Sequence, residues 1–326
     1  EPRSRKQINR ILFFHHRLHQ NSRWENETLA LEDSIELRDD FSLRGRCEMF
    51  RVSLDSMVAA HQLHQGSNLR GHLVWAKYTH FQRLLSIKNV PTYPEDEEIL
   101  QFFRDNNDPD LYMERNAMSR SEFRKLVSPL VRSGHLIQDY RGGFKTVEPL
   151  KKVDLWGTKS EYLRDLVQDY PVITLKQLER LAGSSFSPEE ISDVMHEFEH
   201  DGTLIKGFLV DDLQDICWGR LDMLEGLSSL NRTRDLVIPP SDPLIHYFGG
   251  LLRERFGYGS AYLVFHKEEP IAAFKANTRN DKIELTDFVG DSELEKEAIR
   301  VMKEFAWEHD MPLSGKLFDR IRSRIV

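Results

Sequence analysis

Cysteine is nearly absent. Cys47 and Cys217 are the only two in 326 residues, too few for a disulfide framework, so a reducing, cytoplasmic setting is expected. No apolar run approaches the roughly 20 residues that a bilayer-spanning helix needs, so no membrane partner is expected. No leader-like stretch is read near the start. The chain opens on Glu1 rather than Met and reads as a piece of something longer. No Walker-type phosphate loop, nucleophile elbow or Gly-x-Gly-x-x-Gly after a strand is found, which removes ATP hydrolysis and dinucleotide chemistry from the expectations. No cofactor is expected. An excess of positive charge is missing too: the net charge is −8. That excludes a uniformly basic nucleic-acid coat, although local distribution decides where a phosphate can sit.

What is present is ordinary globular material. A charged fraction of 30% beside an apolar fraction of 40% separates the chain from disordered sequences, and its length suggests two or three domains. The opening "RSRKQINRILFFHHRLHQNSRW" is basic, and Ile8, Ile11, Leu12 and Leu18 allow an amphipathic helix. From Leu54 to Ile87 the pattern reads as a helix broken at Gly66, a short strand "HLVWA" and a second helix. "NVPTYPED" then marks a junction near residue 90.

Beyond that junction one pattern occurs twice. "KSEYLRDLVQDYP", "ITLKQLERLAG" and "SPEEISDVMHEFEHDG" read as three helices, and "TLIKGFLVDDLQDICWG" as a β-hairpin. "EDEEILQFFRDN", "DPDLYMERNA", "SRSEFRKLVSPLVRSG" and "HLIQDYRGGFKTVEP" repeat that order upstream. Superimposing Gly134 on Gly202 brings Leu136–Ile137 onto Leu204–Ile205. Three helices closed by a hairpin make a winged helix. After residue 230 the period changes: "SAYLVFHKEEPIAAFKANTRNDKIELTDFVG" offers three short strands, and "DSELEKEAIRVMKEFAWEHD" a long amphipathic helix. The expected fold class is α+β, with tandem winged helices followed by a small antiparallel β-barrel-like domain with a C-terminal helix. The expected boundaries are 1–90 for an N-terminal helical region with a short strand, 91–150 for a first winged helix, 151–232 for a second, and 233–326 for the β-barrel-like unit.

The two copies differ in charge. The first third helix carries Arg120, Arg124, Lys125 and Arg132 against Glu122, and its wing adds Arg141 and Lys145 around Gly142-Gly143. The second carries Glu189, Glu190, Asp193, Glu197, Glu199 and Asp201, with Asp211-Asp212 at its wing tip. Phosphate neutralisation supplies most non-specific affinity for DNA, so the first copy suits a phosphate backbone and the second repels one. The second is expected to pack on another domain or a partner protein. His15, His16, His19, His61 and His64 invite a metal reading, but no His-Glu-x-x-His or cysteine pair accompanies them, and no metal site is assigned. Asp33, Glu36, Asp39 and Asp40 are candidate catalytic carboxylates with no second landmark to choose among them.

Three stretches carry a resemblance: "NLRGHLVWAKYTHF", "FEHDGTLIKGFLVDDLQDICW", and "VIPPSDPLIHYFGGLLRERFGYG" with "HKEEPIAAFKANTRNDKIEL". They resemble the strand-helix, final wing, and linker with barrel hairpin of the winged-helix DNA glycosylase superfamily (alkylpurine and crosslink-repair type). The order of parts is also similar to the C-terminal modules of large helicase-related proteins. The resemblance implies a DNA channel framed by the barrel unit, with Arg70 and the basic N-terminal helix lining it. That family's Gln-apolar-Gln or Gln-apolar-Asp motif has no match between Ile8 and Leu54, and "HQLHQ" (His61 to Gln65) has its glutamines too far apart. Three readings stay open: a cytoplasmic, nucleoid-associated protein binding duplex or damaged DNA, a glycosylase with a displaced catalytic residue, and a protein-interaction module.

Overall fold

Each of the two Leu-Ile pairs begins the first strand of a hairpin, two residues after a glycine in the left-handed region. Gly134 has φ +94° and Gly202 φ +77°, a conformation glycine adopts without steric cost. The computed structural model describes residues 3–15, 58, 62–151, 154–211, 213–225, 235–240, 242, 244–279 and 282–325. Helices precede each of those glycines and a hairpin follows it. In the first copy they are α3 (Glu97–Asp105), α4 (Pro109–Arg115), α5 (Arg120–Ser133), β3 (Leu136–Gln138) and β4 (Phe144–Thr146). In the second they are α6 (Leu155–Gln168), β5 (Val172–Thr174), α7 (Leu175–Ala182), α8 (Pro188–His200), β6 (Leu204–Gly207) and β7 (Cys217–Arg220), followed by the short α9 (Leu221–Glu225). The helix expected to start at Ile173 starts two residues later, because Thr174 caps it reciprocally with Gln177 and the residues before it pair with β7.

The reading of Leu54 to Ile87 needs a correction. Residues Leu63–Ser67 form a strand, β1, which pairs with β2 (Leu73–Lys77) on one side and with β3 on the other through Gln65 and Gln138. Gly66 is therefore not a helix break. A Cβ there would sit 2.6 Å from the Phe81 ring and 2.7 Å from Ile137, so glycine lets β1 lie directly on α2 (Tyr78–Lys88) and beside the hairpin. The resulting sheet runs β2-β1-β3-β4.

The third part holds more strands than the three expected. β9 (Tyr262–His266), β10 (Glu269–Arg279) and β11 (Lys282–Gly290) are joined by β8 (Leu236–Ile238) and β12 (Leu313–Ser314), in the order β12-β11-β10-β9-β8. The two additions are too short to show a period of their own. α12 (Glu295–Glu308) covers one face, where Tyr262 and Val264 join Met302 and Phe305 in a core. The alternate residues Leu263 and Phe265 point into a second core on the other face. That central core also takes Tyr162, Leu178 and Phe198 from the second copy, and Leu244, Phe248 and Leu252 from α10 (Leu244–Tyr247) and α11 (Gly249–Phe256). The first copy keeps a separate core of Phe103, Tyr112, Phe123, Val127 and Phe144. The architecture is mixed α+β. Among the described residues no helix is long and apolar enough to cross a membrane.

α1 (Arg5–His15) ties these parts together. Ile8, Ile11, Leu12 and Phe13 are buried, while Leu18 lies outside the described residues. Phe13 meets Phe265 edge-on at 4.9 Å and tilts against Phe248 at 6.2 Å. The Asn9 amide donates to the Glu268 carbonyl at 2.9 Å, and Arg10 reaches the buried Glu268 carboxylate at 3.1 Å. Lys6 pairs with Glu269 at 2.9 Å. At the other end of α1, the Arg3 N–H donates to the Leu209 carbonyl and the Asp211 N–H to that of Arg3. Phe13→Ala is expected to lower unfolding stability by about 3–5 kcal/mol, the usual range for emptying an aromatic site. Urea denaturation checks it, and a loss below about 1 kcal/mol would contradict the packing described.

Candidate nucleic-acid interface

The first basic helix owes its start to its only acid. Ser119 accepts the Glu122 N–H at 3.3 Å, and the Glu122 carboxylate accepts the Ser119 N–H at 2.9 Å and its hydroxyl at 2.6 Å. These bonds to Ser119 hold the Glu122 carboxyl below its ordinary pKa, as expected of an acceptor fixed by donors. Phe123, Val127 and Leu130 face the core. Arg120, Arg124, Lys125 and Arg132 are all exposed on α5; Arg120 and Arg124 are one turn apart, and Lys125 and Arg132 two turns apart on the neighbouring stripe. Arg120 comes within 3.8 Å of Asp110, but both are largely exposed, and such pairs contribute about 0–1 kcal/mol. Arg124, Lys125 and Arg132 have no acidic partner among the described residues.

The hairpin tip is held by one carboxylate. Asp139 accepts the N–H groups of Arg141 and Gly143, each at 2.8 Å, while Gly142 turns the chain at φ +88°. A Cβ on Gly143 would stand 2.7 Å from the Asp139 carboxylate and 2.9 Å from the Asn107 carbonyl. Only glycine fits. Arg141 is exposed and donates to the Tyr140 hydroxyl at 2.8 Å. Lys145 is exposed on β4 and sits 4.3 Å over the Tyr78 ring. Tyr78 opens α2 and its hydroxyl donates to the Thr146 carbonyl at 3.2 Å. Tyr78 was not foreseen, and the signal for it was a Tyr directly after a strand that ends in Lys77.

The sequence-derived residues therefore do not form one group. Arg120, Arg124, Lys125 and Arg132 on α5 and Arg141 and Lys145 on the hairpin belong to the first three-helix unit. Arg70 lies elsewhere. It follows β1 in the turn where Asn68 accepts the N–H groups of Arg70 and His72, each at 3.0 Å. Its side chain lies over Gly183 at the end of α7, where a Cβ would meet the Arg70 Cγ at 3.0 Å. Because β1 runs antiparallel to β3, that turn is at the opposite end of the sheet from Arg141. In the basic N-terminal helix, Lys6 and Arg10 are engaged by Glu269 and Glu268.

The second unit builds the same frame with opposite charge. Ser187 and Glu190 repeat the reciprocal cap at the start of α8. Half of the expected acid excess is offset by neighbours: Glu190 by Lys159 at 2.7 Å, Asp201 by Arg164 at 3.4 Å, and Glu199 by Lys206 at 3.5 Å. Glu189, Asp193 and Glu197 remain exposed with no cationic partner among the described residues. Cys217 is fully buried, and burial pushes its thiol up to about 11, so it is no nucleophile. Among the described residues no group of three or more His, Cys, Asp or Glu is placed to hold a metal. His16, His19, His61, Asp33, Glu36, Asp39 and Asp40 lie outside the described residues, as does the side chain of His15.

His64 is the histidine that stays in view. It lies on β1, with its ring 6.2 Å from Tyr78. Burial first, and then the Lys145 ammonium, hold its pKa below 6.5. The unfolded chain takes up this proton first, so the corresponding stability is complete above 6.5 and is lost as pH falls through the folded value. His64→Asn is expected to flatten the loss of stability as pH falls below 6.5, measured by urea midpoints over a pH series. An unchanged slope would contradict it.

No family model and no curated protein sequence matches the chain. Among solved structures, the chain is similar to Streptomyces sahachiroi DNA glycosylase AlkZ, with a TM-score of 0.66 over 97% of this chain and 100% of that one. Sequence identity is 12%, so the likeness is one of fold: this chain has a DNA glycosylase-like fold.

Proposed function

We propose that the protein binds duplex DNA, intact or damaged, through a basic winged helix and acts in DNA repair or processing. The observation that carries this is the outer side of α5, where Arg124, Lys125 and Arg132 project without acidic partners among the described residues. α3, α4 and α5 with the β3–β4 hairpin are the parts of a winged helix, and the second set makes the arrangement tandem. In that geometry the third helix enters the major groove and the hairpin lies along the neighbouring backbone. Arg141 beside a two-glycine tip suits a phosphate contact, because a backbone without side chains permits close approach. Lys145 on the Tyr78 ring presents a cation already stacked on an aromatic face. A solved structure of similar fold is a DNA glycosylase, which supports a nucleic-acid partner.

A glycosylase reading is the alternative that the same likeness favours. The enzyme would flip a damaged base and stabilise oxocarbenium charge with a carboxylate or a polar side chain holding water. Asp33, Glu36, Asp39 and Asp40 are its candidates. Release of an alkylated base from a labelled duplex, abolished by one of four single Asn or Gln substitutions, is its expected signature. Absence of release from the unaltered protein across an alkylated-duplex panel would remove it, leaving the binding reading intact.

Each phosphate neutralised by Lys or Arg contributes about 0.9 to the slope of log affinity against log salt on duplex DNA. Arg124→Glu with Lys125→Glu is expected to weaken binding to a fluorescent duplex at low salt and to reduce that slope by about 2. Unchanged affinity and slope would overturn the assignment of this helix.

A further inference from the structure

The hairpin of the second unit carries an exposed apolar pair. β6 and β7 pair from Leu204 opposite Arg220 to Gly207 opposite Cys217. Continuing that register by one residue sets Phe208 opposite Ile216, and these are 61% and 47% exposed. Their neighbours Leu209, Val210 and Cys217 turn the other way, into a core with Ile8 and Ile11 of α1. One side of the hairpin is thus closed by the chain's own N-terminal segment, while the side bearing Phe208 and Ile216 faces solvent.

That side is continuous with the acidic helix. Side chains two apart on a strand share a face, so Phe208 follows the direction of Lys206. Lys206 reaches Glu199 of α8 at 3.5 Å and lies 5.2 Å over the Trp218 ring. Glu199 lies on the flank of α8 toward the hairpin; on the outer side of the same helix the exposed acids Glu189, Asp193 and Glu197 recur at four-residue intervals, one ridge of a helix. Asp193 stands where the first unit has Lys125, and the exposed side of this helix is anionic where that of α5 is cationic. This surface excludes DNA by charge and exposes two large side chains to water, the combination of an apolar anchor and a charged rim found at protein interfaces.

We propose that this face docks a segment of a partner protein that is basic and carries an apolar anchor. Lys or Arg side chains of the partner lie along Glu189, Asp193 and Glu197, and its apolar side chain covers Phe208 and Ile216. The first unit is left free for its own ligand, so the two can be bound together.

The probe is a fluorescein-labelled amphipathic helical peptide of Leu and Lys, compared with an oligolysine of equal charge, each titrated into the whole chain and read by anisotropy. The amphipathic peptide is expected to bind at least about tenfold more tightly than oligolysine. Phe208→Ser with Ile216→Ser, and separately Glu189→Lys with Asp193→Lys and Glu197→Lys, are each expected to remove about tenfold in affinity. All five positions are exposed, and unchanged urea midpoints confirm folding. Arg124→Glu with Lys125→Glu is expected to leave peptide binding unchanged. Equal binding of the two probes, or full affinity in both sets of variants, overturns the proposal. So does sedimentation showing a dimer that Phe208→Ser dissolves, since the occupant is then a second copy.

Discussion

Phe13 lies edge-on against Phe265 and tilted against Phe248, and that contact brings α1 onto the core shared by the second unit and the five-stranded sheet. Tyr247, next to Phe248, stacks on Tyr170 at 5.0 Å and donates to the Val172 carbonyl at 2.8 Å. Gln177 of α7 donates to the Tyr247 carbonyl at 3.1 Å. The second three-helix unit, the α10–α11 segment and the inner face of the five-stranded sheet are therefore packed as one body. Burial of aromatic surface drives this, and the paired Arg10 and Glu268 fix where α1 enters. A buried pair of that kind adds little net stability, but loss of either partner leaves a charge stranded, so it selects one docking position.

The first unit depends on a different constraint. Its core is its own, and it joins the rest through β1, which lies between β2 and β3. Arg83 of α2, the helix packed on β1, pairs with Asp165 of α6 and so ties that sheet to the second unit. With its inner strand paired and its core facing inward, the unit presents α5 and the hairpin tip outward. The same frame is used twice and the outer charge is inverted. Both third helices begin with the same reciprocal cap, Ser119 with Glu122 and Ser187 with Glu190. Beyond the cap, one helix continues with Arg124 and Lys125 and the other with Asp193 and Glu197. Neither set is needed for packing, because Phe123 and Val127 in one and Ile191 and Val194 in the other supply the buried face.

How much of this could be read from the residues follows from locality. Caps, glycine turns and helical periods are short-range signals, and they located α5, α8, the two hairpins and α12. The charge contrast between the third helices was legible for the same reason. β1 was not, because "LHQGS" neither alternates nor repeats. Its conformation is set by Phe81, Ile137 and Gln138, residues distant in the chain. The partners of acids and cations were equally hidden: Lys159 beside Glu190, Arg164 beside Asp201 and Glu268 beside Arg10 are tertiary facts. So is the position of Arg70 over Gly183, far from the helix with which sequence reasoning had grouped it. Of the candidate interface, the helix and the hairpin cations were legible, and the Tyr78 platform beneath Lys145 was not.

The claim that one frame carries two outward faces of opposite sign, only one of them for DNA, is tested most directly by hydrogen exchange on the whole chain with and without a saturating duplex. The account predicts slowed exchange across Arg120–Ser133 and the tip between Gln138 and Phe144, with Pro188–His200 unchanged. Slowed exchange over Pro188–His200, or no protection on the first helix despite duplex binding, would contradict it.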